Sequence, residues 1–153
     1  MSVLLAIDPG SSKSAFVAVD TTAKKPISFG KLANEDIMNI VRHEYYDLIA
    51  IEGLVSYGTN AQSIIDTAYF IGRLMQIAED NGFEPDLVLR RQVKKFLLGK
   101  SSGKNCNDKA VRQALIDQYG DFTEGMTSDV WSAYAVAVTW MNDKEEGEKN
   151  DVI

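Results

Sequence analysis

The chain is poor in cysteine, histidine and net positive charge, and each shortage removes a class of function. Among 153 residues there is one cysteine, Cys106, and one histidine, His43. A lone cysteine excludes an intramolecular disulfide and fits a reducing compartment. A lone histidine excludes a histidine pair, so His43 is assigned to the surface or to packing. No apolar run approaches membrane-spanning length, and only five apolar residues, Val3 to Ile7, precede Asp8, with no basic flank. The expectation is a cytoplasmic protein with no membrane partner. The formal charge of −6 would by itself argue against a nucleic-acid partner, because phosphate contacts require Lys and Arg.

The distribution of charge matters more than its sum. Residues 143–151 hold five acids against two bases, so that half of the excess lies in the tail. Between residues 90 and 107, by contrast, Arg90, Arg91, Lys94, Lys95, Lys100 and Lys104 occur with no acid among them. Such a run is either a nucleic-acid footprint or an ordinary solvated face.

The length suits one domain with a single core. Val3–Ile7 reads as a strand buried on both faces, ending in Asp8. The loop Pro9-Gly10-Ser11-Ser12-Lys13 then turns into a second strand, Ser14–Asp20, and Pro26–Leu32 alternates as an edge strand. Asn34 is a candidate N-cap for a helix with Ile37, Ile40, Val41 and Tyr45 on one face. Asp47–Gly53 repeats the opening pattern, an apolar strand ending in an acid, here Glu52. If the two acid-ended strands are parallel neighbours, their carboxylates lie together, at about the 4.8 Å inter-strand spacing. Asp8 could instead cap its own turn.

The following loop carries Tyr57 as its exposed aromatic. Residues 60–79 read as a helix with Ile64, Ala68, Ile71, Met75 and Ala78 on one face and Ile65, Tyr69 and Gly72 beside it, a surface broad enough for a second partner. Pro85–Leu89 is a short fifth strand, and Asp108–Tyr119 a further helix. Gly99-Lys100-Ser101 imitates the end of a phosphate-binding loop, but Lys94 stands where that motif needs glycine. A last helix opens at Thr127 and is nearly all apolar over residues 133–141, so it must be buried against the sheet. In its first turn Asp129 and Ser132, spaced i and i+3, share a face. Asp129 is either a helix-dipole partner or functional. Residues 143–153 read as an acidic, disordered tail behind a domain of residues 1–142.

Asp8, Glu52 and Asp129 thus fall at two strand ends and one helix start, with no Cys–His pair or serine triad in competition. Oxygen-only ligands select hard cations such as Mg²⁺, with Mn²⁺ as a substitute, and two such ions would serve phosphodiester hydrolysis.

In this order and spacing the chain resembles the RuvC-type Holliday junction resolvases of the RNase H-like superfamily, and phage-type members in particular. Leu5-Ala6-Ile7-Asp8-Pro9-Gly10-Ser11 is similar to the opening motif, and Ile51-Glu52 with Asn60-Ala61 to the second. Gln92-Val93-Lys94 with Gly99, Asp108-Lys109, and Asp129 with Ala133-Tyr134-Ala135-Val136-Ala137 complete the set. The resemblance implies an α/β fold with a five-stranded mixed sheet flanked by helices, a homodimer, and Mg²⁺-dependent nicking of branched DNA. Four-way junctions are the expected substrate, with three-way junctions and forks as further candidates. For a phage-encoded chain the compartment becomes the host cytoplasm. Carried over, Asp8, Glu52 and Asp129 become metal ligands, and Lys94 and Lys109 the catalytic basic residues near the scissile phosphate. DNA contacts would extend over Tyr57 and the run from Arg90 to Lys109. The fourth acid falls on Ser132, a neutral and poorer ligand, and the junction-inserting aromatic on Val55. Actin-like and sugar-kinase ATPases share this sheet but need two large domains. A module that binds branched DNA with weak or no cleavage is the competing reading.

Overall fold

The computed structural model describes residues 1–54 and 61–151, with side chains outside 149–151. One mixed sheet of five strands organises it, in the order β3-β2-β1-β4-β5. Strands β1 (Val3–Asp8), β2 (Lys13–Asp20) and β3 (Lys25–Ala33) form an antiparallel meander, whereas β4 (Leu48–Gly53) and β5 (Asp86–Leu89) run parallel to β1. The five-stranded α/β expectation therefore holds, as does the parallel adjacency of the two acid-ended strands.

β1 is apolar from Val3 to Ile7 because both of its faces are covered. Leu4 and Ala6 point into a core layer built with α5 (Ser128–Asp151), α3 (Arg90–Leu98) and α4 (Asp108–Tyr119). Val3, Leu5 and Ile7 point the other way, toward α1 (Asn34–His43) and α2 (Ala61–Asp80). α5 lies across β1 and β2, where Ala133, Ala135 and Ala137 are fully buried. Their small side chains let helix and sheet approach closely, which is why this helix reads as nearly continuous apolar sequence.

Gly10 is required in the β1–β2 turn, since a Cβ there would stand 2.3 Å from the Lys13 carbonyl oxygen. Ser14 and Asn34 hold the same turn. Ser14 Oγ accepts from the Gly10 amide at 2.9 Å and donates to Asn34 Oδ1 at 2.6 Å, while Asn34 Nδ2 donates to the Gly10 carbonyl at 2.9 Å. Asn34 is thus the first residue of α1 rather than its cap, and the Gly10 amide and carbonyl in the turn are bonded without Asp8.

Three further expectations need correction. Tyr45 lies beyond the end of α1 and is 72% exposed, so it does not continue the buried stripe of Ile37 and Val41. The buried face of α2 is Thr67, Phe70, Ile71, Leu74 and Ala78, rotated from the expected one; its apolar residues form two adjacent stripes, and the periodicity fits either. Residues 143–151, expected as a disordered tail, continue α5 as helix. Lys144 pairs with Asp86 at 3.2 Å and Glu145 with Lys24 at 3.3 Å, long-range partners that composition does not reveal.

Candidate functional site

The register of the sheet assembles a row of side chains above its centre. Asp8 pairs with Ala15 on β2, and Ala15 with Lys31 on β3. Glu52 lies one step beyond the Ile7–Ile51 pair and opposite Val88 on β5. Residues in register on neighbouring strands face the same way, here toward α5, whose first turn brings Asp129 over the row. Ala15 is fully buried and small, which leaves room for the Lys31 chain to reach across it.

The Asp8 and Glu52 carboxyl groups stand side by side at the ends of β1 and β4, near enough to act on each other electrostatically. Burial, and then the charge of Glu52, push the Asp8 carboxyl up to about 8. Glu52 is also raised by burial, against the opposing pull of Arg90. Desolvated neighbouring carboxylates hold their protons more tightly than free ones, and Arg90 offsets this only in part at Glu52. The Glu52 side chain is only 15% exposed, and its Oε2 is buried without a hydrogen-bond partner among the described residues. A buried carboxylate oxygen left without a donor is costly in a finished core. The pair and its orphaned oxygen fit a hard divalent cation.

Asp129 is differently placed, since its carboxylate forms an ion pair with Lys31. Among the described residues no cluster of three or more Asp, Glu, His or Cys side chains is arranged to hold a metal ion. Asp8, Glu52, Asp129 and Ser132 nonetheless line one cleft of about 840 Å³, together with Arg90 and Lys94. The expected acids and Ser132 therefore converge, but Asp129 is engaged by a lysine.

Arg90 opens α3, a helix that the sequence reading did not assign, because its charge masked the Val93 and Leu97 spacing that buries it. The Arg90 guanidinium lies 3.8 Å from Glu52 Oε1 and donates to Asp108. It is thus a charge partner of the acid pair as well as part of the basic run. Arg91 and Lys94 also line the cleft, whereas Lys95, Lys100, Lys104 and Lys109 do not. Lys100 donates to the Lys104 carbonyl at 2.6 Å. Lys109 is exposed outside the cleft, while its neighbour Asp108, also exposed, lines the cleft and pairs with Arg90. Tyr57 and Val55 lie outside the described residues. Lys31 and Asp108 were missed: Lys31 had looked like the polar face of an edge strand, and only the cross-sheet register reveals its row with Asp8.

No family model matches the sequence, and no curated protein matches it either. Solved structures do match. The chain is similar to Thermus thermophilus RuvC, with a TM-score of 0.74 over 94% of this chain and 96% of that one, at 16% identity. It is also similar to T. thermophilus RuvC in complex with Holliday junction substrate, with a TM-score of 0.77 over 96% and 97% of the two chains, again at 16% identity. The chain has the RuvC-type fold.

Proposed function

We propose that this protein is a metal-dependent, structure-selective endonuclease that nicks branched DNA such as Holliday junctions. The observation that carries this reading is the Asp8–Glu52 pair, with its unpartnered buried oxygen, set in a cleft with Arg90, Arg91 and Lys94. The RuvC-type fold, and a neighbour of that fold in complex with Holliday junction substrate, supply the substrate class. Asp8 and Glu52 would be the first ligands for Mg²⁺ or Mn²⁺. The chemistry such an ion would supply there is activation of water and stabilisation of the leaving oxygen of a phosphodiester. Arg90 neutralises Glu52 in the free protein, and Lys94 and Arg91 attract the DNA backbone toward the acids. Lys109 contributes to DNA binding at longer range.

Two nicks in opposed strands of a four-way junction need two sites, and a homodimer supplies them. Its interface is the outer stripe of α2, where Ile65 and Tyr69 are 42% and 69% exposed and the space beside Gly72 is open. Labelled four-way, three-way and linear DNA, incubated with the purified chain and Mg²⁺, Mn²⁺ or EDTA, test the reading. Cation-dependent nicks in branched DNA are expected. Tight junction binding with no nick in either cation would establish the binding-only alternative.

A further inference from the structure

Resting on that reading, the geometry points to Lys31 as a built-in cation of the site: its ammonium stands in for a second divalent ion at Asp129, and the protein loads one ion, on Asp8 and Glu52. Three observations converge. Lys31 shares the cross-sheet row with Asp8 through Ala15, and its ammonium pairs with Asp129. Lys31, Asp8 and Asp129 also line one side cavity of about 410 Å³, so the ammonium occupies the Asp129 side of the same acidic region.

The partners already in place argue for one ion. Asp129 is paired with Lys31, whereas Arg90 is shared between Asp108 and Glu52. The residue beside Asp129 on its helical face is Ser132, which adds no charge. At the acid pair, Glu52 Oε2 is buried with no hydrogen-bond partner among the described residues, so the place left for a divalent ion is there and not at Asp129. A lysine ammonium delivers positive charge to a phosphate without being exchanged with solvent, and its long stem lets it move from carboxylate to phosphate when DNA enters.

Counting bound Mn²⁺ by electron paramagnetic resonance, on the full-length protein without DNA, tests this separately from nuclease activity. The wild type is expected to bind one tight Mn²⁺ per chain. Lys31→Met frees Asp129 and is expected to bind two, Lys31→Arg to return to one, and Lys31→Met/Asp129→Asn to lose the extra ion. Lys31 is on an exposed edge strand, and far-ultraviolet circular dichroism checks each fold; Lys31→Gln replaces any Met variant that does not fold. Two tight ions in the wild type, or one ion in every variant, would overturn the role of Lys31 and leave the metal-dependent reading standing. No bound ion in the wild type would overturn both.

Discussion

The two ends of the central sheet both carry acids in clefts of similar size, about 840 and 750 Å³, yet treat them in opposite ways. At the end where β1 and β4 begin, Asp47 accepts the Val3 amide at 2.8 Å and the Tyr45 hydroxyl at 3.0 Å. Asp86 accepts the Trp140 indole at 2.7 Å and pairs with Lys144. These acids have the donors that a structural carboxylate needs. At the other end, where β1 and β4 finish, Asp8 and Glu52 face each other and one Glu52 oxygen has no donor. Acids that build the fold are satisfied by it, whereas the acids proposed to serve a ligand are held close together with an oxygen left over.

Exchanging acids at the two ends breaks the comparison most severely. Glu52→Gln is expected to lower junction cleavage by about 10³-fold with little change in junction binding, because in the proposed function the acids hold the ion and the basic surface holds DNA. Asp86→Asn, at the opposite end, should leave cleavage within about twofold and cost about 1–2 kcal/mol of stability by denaturant unfolding. Equal loss of cleavage in both variants would remove the distinction.

The basic flank sharpens it next. Lys94→Ala is expected to lower cleavage by about tenfold and to flatten the salt dependence of binding by about one unit of slope. Lys109→Ala, outside the cleft, should reduce the salt slope with a smaller effect on turnover. Cleavage and binding titrated against NaCl decide between them.

Smaller again is the change expected from a new acid. Ser132→Asp adds a carboxylate on the helical face of Asp129, and half-maximal cleavage should move to about threefold lower Mg²⁺. An unchanged midpoint would mean that this face of α5 does not meet the ion. The α2 stripe is independent of both ends: Tyr69→Glu should convert a dimer into monomers in sedimentation, with the melting temperature changed by only a few degrees.

Much of the site was legible because an apolar run ended by an acid is unusual, and Asp8 and Glu52 each end one. Parallel adjacency was a condition that the strand pattern left open and the sheet fulfils, while the buried last helix followed from residues 133–141. What escaped the sequence depends on distant partners. Lys31 reaches Asp129 across 98 positions, and Asp108 is tied to Arg90 across 18. The helical turns of α3 were hidden by the charges that made it conspicuous. The tail escaped for the same reason, as Lys144 and Glu145 acquire partners from β5 and the β2–β3 turn.

The central claim is that the Asp8–Glu52 pair is a cation site, and thermal unfolding with and without Mg²⁺ tests it most directly. Because the folded protein holds the Asp8 proton more tightly than the unfolded chain, that contribution to stability is full below about pH 4 and is lost as pH rises through about 8. Metal-free wild type should therefore lose stability over that interval, and Asp8→Asn should be more stable at pH 7 by about 1–2 kcal/mol. Mg²⁺ at a hundredfold excess over its Kd should raise the wild-type melting temperature by about 5 °C and leave that of Asp8→Asn unchanged. A metal-free Asp8→Asn less stable than the wild type, with no response of the wild type to Mg²⁺ or Mn²⁺, would contradict the account.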